Sequence, residues 1–343
     1  VHVDIAPRWH ADRITAVQRK RARFAIDDCD IRWIKVLDAD ARTAHRLLIG
    51  SGCQVVINLP NDSRRDAMDY LKPTEVVTSM VEAGTRKGAL QVSDLLVRGA
   101  LSGAILGIST LLAVTAAVQT NVPLVGALIF PVGFVMIVLL GLELVTGSFA
   151  VLPVAQLDGK ITFSATLRNW GWSFVGNLAG SMLFAVLAWS ALTMFGETPA
   201  GPVGDRIAAI ADAKTLAYSA HGGSGWATAF VKAMLCNWMV CMGVVMGLVA
   251  QSTISKIVAA WLPILMFFAL GYEHAVVNMF VIPAGMLLGA KTTAASWWMW
   301  NQVPVTLGNI VGGFVFTGLA LYVTYRTRSA RAEPMREPAR ATP

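Results

Sequence analysis

The fold class expected from the sequence is an all-α polytopic membrane protein of six spans, arranged as an inverted repeat (3+3) with spans 2 and 5 broken. Three observations lead there. Of 343 residues, 55% are hydrophobic and only 14% charged, where an ordinary soluble domain carries about 25% charged residues. Two apolar stretches are too long for a single crossing of the bilayer. The second of them, around Leu262 to Pro283, holds Glu273 and His274 side by side in its middle and has a double upstream.

Val1 to Ala67 is the least readable part. It mixes Arg and Asp densely, as in RKRARFAIDDCDIR, has short aliphatic patches at Arg46 to Gly50 and Gln54 to Pro60, and offers no apolar span. No apolar h-region follows the basic residues, so it is no signal peptide, and targeting falls to the first membrane helix. Two readings stand: a small soluble domain of about 65 residues, marginal in size for independent folding, or translation from too far upstream with Met68 as the natural start. The second is favoured because the first residue is Val and an orderly pattern begins at Met68.

From Lys72 the text changes. Pro73-Thr74-Glu75 opens a helix in which Val76, Val77, Met80 and Val81 form an apolar stripe opposite Thr78, Ser79 and Glu82. This amphipathic helix, within residues 68–95, reads as an interfacial anchor on the cytoplasmic surface in preference to a plug. Leu96 to Val118 is the first span, long enough for a hydrocarbon core of about 30 Å. Val122 to Val154 as one helix would run roughly 50 Å, so a break is expected around Thr146, Gly147 and Ser148, just after Glu143. Trp170 to Ala191 and Trp226 to Val249 are the third and fourth spans, Ile257 to Leu288 the broken fifth with its interruption at Gly271 to His274, and Val303 to Val323 the sixth. Beyond Tyr325 the Arg- and Pro-rich tail, 326–343, has the composition of a disordered cytoplasmic segment.

The halves match at a nearly constant step. Glu143 to Pro153 (ELVTGSFAVLP) answers Glu273 to Pro283 (EHAVVNMFVIP), Phe130-Pro131 answers Leu262-Pro263, Gly176-Asn177 answers Gly308-Asn309, and Leu96-Val97-Arg98 answers Phe230-Val231-Lys232. An odd number of spans per copy turns the second copy upside down. Charge agrees with both termini in the cytoplasm: Arg86, Lys87, Arg98, Lys160, Arg168, Lys256, Arg326, Arg328 and Arg331 then lie inside, and Arg206, Lys214 and Lys291 outside. The same clustering accounts for the net charge of +7 without nucleic acid as a partner. Cys29, Cys53, Cys236 and Cys241 show no metal-ligand spacing, no motif asks for a cofactor, and Cys236 and Cys241 read as small packing residues.

An ionisable pair in mid-membrane costs about 2.5–3.5 kcal/mol per charge on insertion scales, so it marks a functional site facing a cavity or partners; the plain alternative is a histidine satisfied within a bundle. Two broken helices meeting at the midplane would set His274 opposite the first break, beside Thr146 and, one turn on, Asn278. Phe130, Phe134, Leu144, Val145, Val240 and Phe267 surround it in the same segments. A pore lined that way excludes hydrated cations and passes something small, neutral or briefly neutralised. Glu143 and Glu273 are read as support for the helix breaks, Glu273 by accepting backbone N–H groups.

The run Gly271-Tyr272-Glu273-His274 with Asn278-Met279-Phe280 resembles the GFEH...NMF signature of the formate/nitrite transporter family. Leu235-Cys236-Asn237-Trp238-Met239-Val240-Cys241 is similar to its LCNWLVC motif, and Lys72-Pro73-Thr74-Glu75 to its KPxE start. The resemblance covers Met68 to about Thr327. It implies a homopentamer of aquaporin-like protomers in a bacterial-type inner membrane, each moving small monovalent weak-acid anions with a proton: formate first, nitrite or hydrosulfide as alternatives. It also implies the central histidine at His274, the loop threonine at Thr146, the asparagines at Asn237 and Asn278, and the outer vestibule lysine at Lys214, with Gly222-Gly223-Ser224-Gly225 inserted before Asn237. The outer constriction falls on Phe130, Phe134 and Phe267, the inner on Leu144, Val145 and Val240. Phe134 is bulkier than the family's usual leucine and Val145 smaller than its usual phenylalanine, which bears on the relative tightness of the gates.

Rival classes lack their marks. A water or glycerol channel should carry two Asn-Pro-Ala boxes at the breaks, and there are none; a membrane metalloprotease needs a set such as HExxH, and His274 is the one histidine in a span. A passive membrane anchor gives no reason for an acid–histidine pair in a broken helix.

Overall fold

The computed structural model describes residues 70–326, the side chain of Arg326 excepted, and three strand backbones before them. The chain divides into two units, Val1–Ala67 and Met68–Pro343. In the first, β1 (Ile34–Val36), β2 (His45–Ile49) and β3 (Cys53–Ile57) form an antiparallel sheet in that order, with Ile34 opposite Ile49 and Ile49 opposite Cys53. The two aliphatic patches of the sequence fall on β2 and β3. The rest of that segment, and the tail expected to be disordered, lie outside the described residues.

The described residues of the second unit are helical. α1 (Val76–Gly88) precedes the long α2 (Val92–Thr120), the pair α3 (Pro123–Leu139) and α4 (Val145–Leu157), and the long α5 (Phe163–Thr193). The second copy repeats the order: α6 (Gly201–Ala213) with the short α7 (Leu216–Ala220), the long α8 (Gly222–Val249), the pair α9 (Thr253–Ala269) and α10 (Ala275–Leu287), and the long α11 (Ala294–Tyr325). The unit is thus an aquaporin-like inverted repeat of six spans, the second and fifth broken. At about 1.5 Å per residue, the four long helices, of 28 to 32 residues, exceed a core of about 30 Å. Their outward positions, among them Val97, Leu101, Leu183 and Leu187, are exposed and apolar, as lipid requires.

Both breaks are built the same way. α3 ends with Gly141 at φ 64° and α9 with Gly271 at φ 63°, a left-handed backbone that glycine adopts without strain. The Leu142 N–H bonds the Ile137 carbonyl at 3.0 Å and the Tyr272 N–H the Phe267 carbonyl at 3.1 Å, the six-to-one closure of a glycine-ended helix. The first break therefore lies at Gly141 to Leu144. Thr146, Gly147 and Ser148, where the sequence pointed, form the first turn of α4, because Gly141, five residues before Thr146, stops the preceding helix.

The apolar stripe of α1 packs on the bundle. Val77 and Met80 are fully buried against Ala150, Val151 and Val154 of α4 and Cys241 and Val245 of α8. A methyl at Gly84 would lie 2.2 Å from the Val151 carbonyl oxygen, so α1 rides directly on the α4 backbone. α6 packs on α10 in the same relation. The paired long helices also meet at glycine: a methyl at Gly180 would sit 1.8 Å from the Ala100 carbonyl oxygen of α2, and one at Gly312 2.2 Å from the Met234 carbonyl oxygen of α8. These small residues close contacts within the protomer.

Candidate functional site

A helix that starts inside a membrane exposes N–H groups with no water to bind them. One asparagine in each copy answers this. Asn177 of α5 accepts the Val145 N–H at 3.0 Å through Oδ1 and donates through Nδ2 to the Glu143 carbonyl at 2.8 Å and the Gly99 carbonyl at 2.9 Å. Asn309 of α11 accepts the Ala275 N–H at 2.9 Å and donates to the carbonyls of Glu273 at 3.0 Å and Ala233 at 2.8 Å. Sequence reasoning saw this pair only as a repeat marker; the signal was there, a polar amide recurring in an apolar span at the same place in both copies.

With the main chain held, the acids turn sideways. Lys87 Nζ, from the end of α1, meets Glu143 Oε1 at 2.7 Å, and Lys214 Nζ, just past α6, meets Glu273 Oε2 at 2.8 Å. Lys87 had been assigned only to the inner face by charge; its equivalence to Lys214 required knowing that α6 mirrors α1. Asn169 donates to the Lys87 carbonyl at 3.0 Å and Asn301 to the Lys214 carbonyl at 2.9 Å, so each lysine is fixed at its main chain too. A π turn at Trp298–Gln302 buries both Asn301 and Gln302, an inward presentation of consecutive residues that a regular helix does not give.

Glu273 supports its break differently from expectation. It takes side-chain donors in place of backbone N–H groups: Tyr218 O–H on Oε1 at 2.8 Å, and on Oε2 Lys214, Asn278 at 2.8 Å and Asn301 at 3.2 Å. The backbone role belongs to Asn309, whose neutral amide can both accept and donate. Burial and the adjacent carboxylate push the Tyr218 phenol up, so it remains a donor. Lys232 Nζ stands 5.9 Å from the Tyr218 ring centroid, within cation–π range.

Between the two lysine–acid pairs lies His274. Its Nδ1 accepts the Val277 N–H at 3.1 Å as the cap of α10, and its Nε2 is 3.0 Å from Thr146 Oγ1. With Nδ1 occupied as an acceptor, the neutral ring carries its proton on Nε2 and donates to Thr146. Phe267 stacks on the imidazole at 5.6 Å between centroids and meets Phe130 edge-on at 5.7 Å. Phe130, Phe134, Leu144, Val145, Val240 and Phe267 are all buried in one cluster.

Two assigned residues sit elsewhere than beside the imidazole. Asn278 turns its amide to Glu273 and Asn301, since the paired carboxylate outcompetes a neutral ring as acceptor. Asn237 donates to the carbonyls of Thr146 at 3.0 Å and Asn309 at 2.7 Å, tying the first break to the second. Cys241 also reaches the Thr146 carbonyl, at 3.3 Å. Among the described residues no three His, Cys, Asp or Glu side chains gather as metal ligands.

A family model described as formate/nitrite transporter matches residues 74–323. Among curated relatives, the uncharacterized transporter YrhG of Bacillus subtilis (strain 168) is 33% identical over 278 residues, 79% of this chain and 99% of its own. The formate channel BtFdhC of Bacillus thuringiensis is 32% identical over 270 residues, 76% of this chain and 97% of its own. Among solved structures, a chain described as an FNT family ion channel matches with a TM-score of 0.65 at 27% identity, covering 73% of this chain and 99% of that one. A pentameric formate channel with formate bound matches with a TM-score of 0.56 at 26% identity, covering 68% and 98%.

Proposed function

The chain belongs to the formate/nitrite transporter family, a family of membrane channels and transporters, and from that premise we propose that it conducts small monovalent weak-acid anions with a proton, formate foremost. The observation that carries the reading is the His274–Thr146 hydrogen bond set in an apolar constriction between two lysine–glutamate pairs. The pentamer of the formate-bound relative supports a homopentamer here, and the charge bias supports both termini in the cytoplasm of a bacterial-type inner membrane.

Each lysine spends one of its three N–H donors on its glutamate. The side chains of Lys87 and Lys214 are 23% and 19% exposed, which leaves donors for an arriving anion while the glutamate cancels the standing charge. An anion is therefore captured at short range, with a salt-screened contribution from the surrounding field. Carrying it bare through the constriction costs several kcal/mol; protonating it costs about 1.36 kcal/mol per pH unit above its pKa, which makes neutralisation the easier route for a weak acid. At the centre His274 Nε2–H holds the Thr146 oxygen, and the threonine O–H is left to donate to what passes. A second proton on the ring must take Nδ1 from the Val277 cap, at about 0.5–2 kcal/mol, and an anion alongside offsets it.

The test is flux of formate, nitrite and hydrosulfide into proteoliposomes, measured side by side with a pH gradient. Formate uptake that rises with inward acidity is the expected result. Nitrite or hydrosulfide moving faster than formate would reassign the substrate, and no flux of any of the three would overturn the reading.

A further inference from the structure

The two mirrored lysine–acid pairs are built unequally. Glu273 has donors on both oxygens, Tyr218 on Oε1 and Lys214, Asn278 and Asn301 on Oε2. Glu143 has Lys87 on Oε1, while its Oε2 is buried without a hydrogen-bond partner, on a side chain only 3% exposed. The repeat explains the difference. Five residues after Glu273 stands Asn278, and in that place after Glu143 stands Ser148, whose hydroxyl turns back to the Leu144 carbonyl at 3.4 Å. Asn169, in the place of Asn301, gives its amide to Lys87.

A buried carboxylate oxygen with no donor forfeits its hydration for nothing. Something that brings a hydrogen removes that penalty. We propose that Glu143 Oε2 is the proton-exchange site on the Lys87 side of the path, an inference that rests on the weak-acid reading above. The protonated acid arriving past Leu144 gives its O–H proton to Oε2. Its own O–H bond breaks, a carboxylic acid forms on Glu143, and the anion so produced stands beside the Lys87 ammonium; the reverse step reloads the acid. Charge is conserved at each step and no isolated ion is created in the apolar segment. Glu273, saturated by four donors, remains the fixed anion of the Lys214 side, so of the two acids only Glu143 exchanges a proton.

The charged groups on the elements around Glu143 are few. Lys87 on α1 faces it directly, while Glu82 and Arg86 of the same helix pair with each other at 3.9 Å in the open. Asp94 and Arg98 on α2 pair with each other at 3.4 Å in partial exposure, and Arg168 on α5 holds the carbonyls of Gly88 at 2.7 Å and Leu90 at 3.4 Å. α4 carries none between Val145 and Leu157. The other carboxylates of these helices, Glu82 and Asp94, are each engaged by an arginine.

Infrared difference spectroscopy of the full chain in zwitterionic lipid vesicles tests this, stepping pH between about 4 and 8 without substrate. The expected result is a component of the protonated-acid carbonyl absorption, shifted in deuterium oxide, that is missing from the Glu143→Gln difference spectrum and present in that of Glu273→Gln. Ser148→Asn, which supplies the donor that Asn278 gives to Glu273, should reduce the band with Glu143 still present. Wild-type and Glu143→Gln spectra with the same protonated-acid absorption overturn the proposal, and Ser148→Asn, which keeps the acid, supplies the comparison if Glu143→Gln fails to assemble. Since the band is read without flux, a chain that shows it yet moves no weak acid sinks the transport reading alone. Formate flux with no band sinks this inference alone.

Discussion

His274→Asn separates a chemical role for the imidazole from a packing one. Asparagine ranks with the best helix caps, so the Val277 N–H bond that His274 Nδ1 makes at 3.1 Å can be kept. The bond to Thr146 at 3.0 Å is lost because the shorter side chain cannot reach. That removes about 0.5–1.5 kcal/mol net, or about 1–3 kcal/mol if the buried threonine oxygen goes unpaired, and the Phe267 stacking contributes a further ~0.5–1.5 kcal/mol. Adding these ranges gives an expected loss of about 1–3 kcal/mol, or about 1.5–4.5 kcal/mol if the threonine oxygen goes unpaired. His274→Leu, which copies Leu144 of the mirrored repeat, should lose about 1 kcal/mol more through the missing cap.

Transport decides the question. Asparagine has no proton to exchange, so formate flux per folded oligomer, read between about pH 5 and 8, should lose its dependence on pH. The measurement is flux in proteoliposomes, normalised to assembled protein, at several pH values on each side. An unaltered pH profile in well-assembled His274→Asn would refute the role of the imidazole and leave a sieve of apolar side chains.

Gly180→Ala should abolish folded protein, since its methyl would lie 1.8 Å from the Ala100 carbonyl oxygen and neither backbone can yield cheaply; membrane yield and detergent gel filtration read it out. Gly176→Leu, against the Leu96 carbonyl oxygen at 2.8 Å from a first methyl alone, should do the same, and a fully active protein would show the face to be slack. Lys87→Met strips Glu143 of its one side-chain partner and should cost about 3–5 kcal/mol, whereas Lys214→Met leaves Glu273 with three donors and should cost less; thermal unfolding in one detergent compares them. A chain beginning at Met68 should insert, assemble and conduct as the full chain does if Val1–Ala67 is dispensable, and lost assembly would reject that.

How far the sequence could be read follows from what each interaction leaves in it. Apolar length and the doubled ELVTGSFAVLP and EHAVVNMFVIP segments are properties of the chain itself, so six spans and two breaks could be read directly. The placement of the first break could not: Thr146 and Ser148 have low helix propensity, but Gly141, able to take φ 64°, decided it, and a lone glycine in an apolar run carries little signal. Glu143 and Glu273 stand in the breaks, and where backbone N–H groups were expected on Glu273 the donors are side chains. Which donor reaches a carboxylate depends on α1 and α6 folding in beside α4 and α10, and neither short helix advertises its partner. α1 shows why. Its stripe of Val76, Val77, Met80 and Val81 suits a lipid surface or a protein groove equally, since both are apolar, and the difference lies in Gly84, which lets the α4 backbone approach to where a side chain would stand. That approach carries Lys87 to Glu143 and so gives the first copy a lysine–acid pair matching the second. Without it the repeat would be symmetric in its helices and lopsided in its charges, with an uncompensated acid buried beside the path, an arrangement that the energy of a buried unpaired charge forbids.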